Sequence, residues 1–265
     1  MPTGWDTFVN EETEEPKVDY ADVRDDFEFF LSHSTETTAQ IAAMVPHLNR
    51  LSDHAGPARF LDFGCGTGDF TAELLSTLDT PPRNLDLFLV EPVREHRRRA
   101  ETALSPFSSH VSESVPYLDD LTGRAFDLIL ANHSVYYLSR SEVPELVDRV
   151  ADTGMLIIAL QHSGNALARI WLKSCQLSGE AFPFLFADDV EEVFHAKSIP
   201  YDREMIAYRI EFPDTPENRY RVLHFLFGTY LDRIPRNRAL TFFDPYMHAG
   251  SIRIDTEYPH LIVRA

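Results

Sequence analysis

The 265-residue sequence predicts an α/β fold, an open and mostly parallel sheet with helices on both faces. Three observations carry this expectation. Short apolar runs at 60–63, 85–90, 125–131 and 154–160 read as buried strands, and segments with helical spacing of apolar residues separate them. Three alternating glycines, Gly64, Gly66 and Gly68, stand between the first of these strands and its helix. A hydrophobic share of 44% in a chain of this length supplies one substantial core.

The stretch from Arg59 to Ala72, RFLDFGCGTGDFTA, organises the rest. After the glycines a helix begins near Asp69, with Phe70, Leu74, Leu75 and Leu78 on one face. Glycine is needed where the backbone takes positive φ, or where a ligand approaches too closely to leave room for a Cβ. A dinucleotide fingerprint requires glycine where Asp69 stands, and an anion there opposes a pyrophosphate. No Gly-Lys-Ser/Thr follows, which excludes a P-loop. The second strand ends at Glu91-Pro92, about twenty residues beyond the glycines, where an acidic side chain can accept both hydroxyls of a ribose.

The composition, 42 acidic against 24 basic residues for a net charge of -18, argues against nucleic acid as a partner. Arg94, Arg97, Arg98 and Arg99 form the one dense basic cluster and read as the solvated face of the helix after Glu91. No apolar run approaches the length of a membrane span, and the acidic first residues have neither a basic nor an apolar leader region. A cytoplasmic protein with reduced thiols at Cys65 and Cys175 is the expectation.

Along the chain, residues 1–19 are polar. Val23, Phe27, Phe30 and Leu31 keep helical spacing, and a second helix follows with Ser34 as N-cap and Glu36 in its first turn, through Ile41, Met44 and Val45 to Pro46. A short strand near 110–112 is followed by a loop with Ser112, Glu113 and Ser114, which also fits an ordinary surface loop. The fourth strand ends at Asn132-His-Ser-Val-Tyr-Tyr137, on the carboxyl edge where open α/β sheets bind ligands. Later come helices near 142–150, 166–175 and from Ala187, an aromatic patch at Phe182, Phe184 and Phe186, a sixth strand over 205–212, a helical insertion at 216–231, and a terminal hairpin-like pair at 252–254 and 259–263. Without repeats or linkers the chain reads as one domain: a helical cover over 1–50, a core over 51–160, and insertions with terminal strands over 161–265.

The Gly-x-Gly-x-Gly turn after an acidic strand residue, Asp62 with Gly64, Gly66 and Gly68, followed by Glu91 at the next strand end, resembles the class I S-adenosylmethionine-dependent methyltransferases. The resemblance implies a Rossmann-like fold with a seven-stranded, mostly parallel sheet, S-adenosylmethionine as cofactor, and cofactor contacts from these residues together with Ser112, Glu113, Ser114 and Asn132. Segments outside the turn resemble histamine N-methyltransferase: Phe30-Leu-Ser-His-Ser-Thr-Glu36, Val90-Glu-Pro92, Val135-Tyr-Tyr-Leu138, Ser163-Gly164 and Ala187-Asp-Asp-Val190. That narrower resemblance implies that Glu36 contacts a substrate amine and that Tyr136, Tyr137 and Phe27 line its pocket. His133 stands where that family has a glutamine, Thr256 near its pocket asparagine, and Trp171 near a pocket tryptophan.

Methyl transfer from a sulfonium is an in-line displacement for which the protein supplies proximity and orientation, and it requires no metal. An amine attacks unprotonated, so a carboxylate or imidazole that receives its proton is useful. Glu36, His33, His133 and Tyr136 are the candidates, with Tyr20, Phe27, Tyr137, Trp171, Phe225 and Thr256 as pocket residues. The expected activity is methylation of a small molecule at nitrogen of an amine or imidazole-like heterocycle. Carbon methylation of an indole and a non-catalytic cofactor-binding module are the alternatives.

Overall fold

The computed structural model describes residues 20–49, 51, 56–108, 110–123, 125–179 and 184–265. Five strands, β1 (Arg59–Phe63), β2 (Asp86–Val90), β3 (Val111–Val115), β4 (Phe126–Asn132) and β5 (Val150–Ala159), pair in parallel. Two antiparallel strands, β6 (Asp202–Pro213) and β8 (Ser251–Arg264), complete a sheet of order β3-β2-β1-β4-β5-β8-β6, and the two-residue β7 (Met247–His248) pairs with β8. This is the Rossmann-like architecture expected from the sequence. The order reverses direction between β1 and β4, which opens a crevice at their carboxyl ends.

Strand alternation divides the core between the two faces of the sheet. Phe60, Leu87, Leu89, Leu128 and Leu130 pack on the face covered by α2 (Glu36–Leu48), α3 (Asp69–Thr77) and α4 (Arg94–Leu104). Leu61, Phe63, Phe88, Val90 and Ile129 pack on the other, against α5 (Val143–Val147) and α7 (Ala187–Lys197). The continuous apolar runs follow from burial on both faces. Gly154 is required by close packing, since a Cβ there would lie 2.4 Å from the Phe126 carbonyl oxygen.

The helical cover joins the two ends of the chain. On α1 (Tyr20–Ser32), Asp26 pairs with Arg221 at 2.8 Å and His224 at 2.7 Å on α8 (Pro216–Phe227), and Phe27 and Phe30 stack against Phe225. Between α1 and α2 the chain docks on the free edge of β6: Thr35 N–H donates to the Arg209 carbonyl at 2.9 Å, Glu211 N–H to that of His33 at 2.9 Å, and Ser34 bridges Ile210. This docking displaces the expected cap. Thr35, not Ser34, is the N-cap of α2, and the Ser34 hydroxyl accepts the Glu36 N–H at 3.1 Å.

Two further expectations are corrected. Residues 112–114 belong to β3 rather than to the loop after it, because the register Phe88↔Glu113 and Leu89↔Ser114 carries pairing on to Val115. Residues 251–264 form one strand, not two. The polar Asp255-Thr-Glu257 that reads as a turn stays extended because every residue from 251 to 262 faces a partner on β6, and Arg209 holds Asp255 at 2.6 Å. Pro259 is tolerated because pairing with β5 begins only at His260.

Arg149, nearly inaccessible, donates to the carbonyls of Leu118, Leu121 and Gly123 at 3.0–3.1 Å and ties down the connection between β3 and β4. Arg149→Met leaves these acceptors without that donor and is expected to cost about 2–4 kcal/mol, read as a fall in Tm of several degrees by thermal denaturation.

Candidate active site

The turn after β1 carries positive φ at all three glycines, +72°, +52° and +78° for Gly64, Gly66 and Gly68. Their surroundings differ. A Cβ on Gly64 would meet the Ser134 Cβ at 2.2 Å, and one on Gly68 the Ala100 Cα at 2.8 Å, whereas a Cβ on Gly66 would have nothing within 4 Å. All three share the backbone requirement, and the space around them differs: packing also closes Gly64 and Gly68 to a Cβ, whereas Gly66 stands beside open space. Glu91 holds the turn from below: one carboxylate oxygen accepts the Gly66 N–H at 3.2 Å, the other the Val93 N–H at 2.9 Å. Arg97 donates to the carbonyls of Glu91 and Pro92, so the basic face of α4 is not wholly solvated.

Asp62 lies beneath the turn, almost fully buried, and its Oδ2 has no hydrogen-bond partner among the described residues. Burial raises its carboxyl from the ordinary 3.8 to about 7, a hydrogen bond with Thr71 opposes the rise, and the neighbouring Glu91 charge adds to it. Burial in the same place also pushes the Cys65 thiol well up, which leaves it unreactive.

A second cluster stands across the crevice. Helix α2 presents Glu36 and Gln40 one turn apart toward the carboxyl ends of β4 and β5, and the Gln40 amide donates to the Asn132 side-chain oxygen. Glu36 Oε1 lies 3.4 Å from His133 Nε2 and accepts from Gln161 Nε2 at 3.4 Å. His133 takes the unusual φ of +52° just past β4, and its Nδ1 lies 3.2 Å from the Tyr136 hydroxyl. That hydroxyl also accepts the Gln161 backbone N–H at 3.2 Å.

Gln161 and Asn165 both donate to the Tyr208 hydroxyl, at 3.3 and 3.4 Å. Tyr258 packs edge-on to His133 and Tyr208, with ring centroids 5.0 and 5.5 Å away. Both phenols are pushed well above their ordinary range, first by burial and then by the charge of Glu36. His260, next in line on the same strand face as Tyr258, is held neutral by burial, its value lowered to about 3.

The fold brings Glu36, His133, Tyr136 and Asn132 to one edge, where the Ser134 hydroxyl donates to the Phe63 carbonyl at 2.6 Å and joins them to the glycine turn. Phe184 gathers Tyr136, Tyr137 and Trp171 around it at 6.2, 5.3 and 5.4 Å. Other expected residues lie elsewhere. His33 turns back on its own helix, with Nδ1 on the Phe29 carbonyl at 2.8 Å and its ring against Phe29. Phe27 and Phe225 stack on each other between α1 and α8. Ser112 donates to Asp86, at the opposite end of the sheet, and Glu113 accepts from Thr122. Ser114, nearer the carboxyl edge, keeps a buried hydroxyl without a partner among the described residues. Thr256 accepts the Ala166 N–H at 3.1 Å and so anchors α6 (Ala166–Ser178). The Tyr20 side chain and Phe182 fall outside the described residues.

Gln40, Gln161, Tyr208 and Tyr258 were not singled out from sequence. Gln40 had a local signal, four residues beyond Glu36 on one helix face, and Gln161 another, directly after the apolar run of the fifth strand. The tyrosines had none, because they reach the site only through the pairing of β6 with β8. Among the described residues no group of three or more His, Cys, Asp or Glu is arranged to hold a metal.

Among curated proteins no sequence matches this chain. Solved structures share its architecture. The YcgJ protein of Bacillus subtilis is 12% identical over 83% of this chain and 97% of its own, with a TM-score of 0.56. A proposed sarcosine dimethylglycine methyltransferase from Galdieria sulphuraria is 11% identical over 86% of this chain and 84% of its own, with a TM-score of 0.52. A geranyl diphosphate methyltransferase is 11% identical over 85% of this chain and 76% of its own, with a TM-score of 0.50. At these identities the likeness is one of fold alone. The model of a family described as a methyltransferase domain matches residues 37–216, more than half of the chain. The chain therefore belongs to the methyltransferase-domain family and carries the fold of class I S-adenosylmethionine-dependent methyltransferases.

Proposed function

We propose that this protein transfers a methyl group from S-adenosylmethionine to a nitrogen of a small amine or imidazole-like heterocycle, as a cytoplasmic, single-domain enzyme of the histamine N-methyltransferase type. The observation that carries the acceptor class is Glu36, a largely buried carboxylate bonded to Gln161 and close to His133 at the carboxyl edge of the sheet. A buried carboxylate is stable when cationic or N–H groups face it.

The cofactor site is supported by features of this chain. Gly66 offers backbone beside open space, Glu91 retains lone pairs beyond those used by Gly66 and Val93, and the unpartnered oxygen of Asp62 suits an ammonium group. Residues Asp62, Gly64, Gly66, Gly68 and Glu91 would hold the cofactor, with Asn132 and Ser114 as further contacts. When bound, it supplies an electrophilic methyl group on a positively charged sulfur.

On the acceptor side, Glu36 holds the amine and receives the proton that nitrogen must shed. His133, 3.4 Å from Glu36, is a second group able to receive that proton, and Tyr136 lies within reach of its other ring nitrogen. Tyr136, Tyr137 and Trp171 around Phe184 wall a flat substrate, and cation–π attraction of ~0.5–2 kcal/mol favours positive charge there. Holding the reactants in line lowers the barrier by up to roughly 7–11 kcal/mol. The same aromatic wall also suits an indole methylated at carbon, with Glu36 taking the ring N–H proton. Mass spectrometry of the product formed from a panel of amines, imidazoles and indoles separates the two.

Titration with S-adenosylhomocysteine in a calorimeter is expected to show one site per chain. Gly66→Ala should weaken that binding at least tenfold; a native protein that does not bind removes the proposal. Glu36→Gln should lower kcat/KM for the methylated amine roughly 100-fold or more while cofactor affinity stays unchanged. Unaltered turnover would exclude Glu36 as the base.

Asp62 adds a pH dependence. Its folded-state value of about 7 lies above the unfolded 3.8, so the native state holds the proton more tightly. The associated stability is fully present below 3.8 and is lost, by roughly 4 kcal/mol in all, as pH rises through about 7. Asp62→Asn is expected to raise Tm more at pH 8 than at pH 5, measured without ligand.

A further inference from the structure

The amide of Gln161 is held in one orientation. Both hydrogens of its Nε2 are directed, one to Glu36 Oε1 at 3.4 Å and one to the Tyr208 hydroxyl at 3.3 Å. Tyr208 is itself held by Asn165, whose Nδ2 reaches its hydroxyl at 3.4 Å. Asn165 cannot turn over without loss, because its oxygen caps α6 through Leu167 N–H at 2.8 Å and its nitrogen also donates to the Glu257 carbonyl at 2.8 Å. The consequence falls on the other end of the amide. Gln161 Oε1 is buried and has no hydrogen-bond partner among the described residues. A flip would set an amide oxygen against the Glu36 carboxylate.

An acceptor fixed in this way, with a charged acceptor beside it, is costly in an empty site and is relieved by a ligand that donates. Two more buried polar atoms without a hydrogen bond, His133 Nε2 and the Tyr258 hydroxyl, belong to the same cluster. Carboxylate and amide oxygens only accept, so a group placed between Glu36 and Gln161 must bring at least two N–H donors.

We propose that Gln161 is a specificity-determining residue whose amide oxygen takes a second N–H of the methyl acceptor while Glu36 takes the first. The site then favours a primary amine over a tertiary one. This inference rests on the methyltransferase reading of the site.

The test uses the full-length protein saturated with S-adenosylhomocysteine, titrated calorimetrically with 2-phenylethylamine, its N,N-dimethyl analogue and its N,N,N-trimethyl analogue. These offer three, one and no N–H donors on one aromatic frame. The native protein is expected to bind the primary amine about tenfold more tightly than the dimethyl analogue. Gln161→Met, of similar volume but without an acceptor, should bring that ratio close to one. A native ratio near one, failure of all three amines to bind, or an unchanged ratio in Gln161→Met would each overturn the inference while leaving cofactor binding intact. Failure of S-adenosylhomocysteine to bind the native protein would instead remove the reading beneath it.

Discussion

A carboxylate held out of water at the open end of a sheet is the constraint around which this molecule is arranged. Glu36 sits in the first turn of α2, where the helix dipole favours it, but burial makes its charge expensive without partners. Partners come from three separate parts of the chain: His133 after β4, Gln161 after β5, and the tyrosines of β6 and β8 behind them. The docking of residues 33–35 on the edge of β6 makes this possible. It fixes where α2 begins and so where its first turn points.

The glycine turn shows a comparable division of labour. Three residues that look equivalent in the sequence share a positive backbone angle, but at two of them neighbouring chain also occupies the space a Cβ would need, and only one stands beside an open region. Glu91 ties the turn to the chain after β2, one carboxylate oxygen binding Gly66 N–H and the other Val93 N–H. The buried Asp62 below it keeps an unpartnered oxygen, and that local instability is what a bound ammonium would relieve.

The glycine turn and the Glu36 cluster meet at the reversal of strand order, joined by the Ser134–Phe63 hydrogen bond between the ends of β4 and β1. Both are built from strand ends and helix starts, which are rigid elements. Such a frame can hold reactants in line, the principal contribution a protein makes to methyl transfer.

The sequence alone determined the parallel core. The strands β1, β2 and β4, and β5 over its second half, are apolar on both faces, the glycines mark a turn that needs positive φ, and Glu36, His133 and Glu91 stand at element ends that local patterning identifies. Only the tertiary structure decided what surrounds Glu36. Nothing local distinguishes Tyr208 or Tyr258 from other strand aromatics, and they reach the site through a register, Ile206↔Tyr258 and Tyr208↔Thr256, between strands far apart in the chain. The same cause explains why His33 faces its own helix and why β8 runs unbroken through Asp255. Pairing with a distant strand edge outweighed the local cap and turn preferences, because each residue paired there satisfies backbone groups that a loop would have left to water.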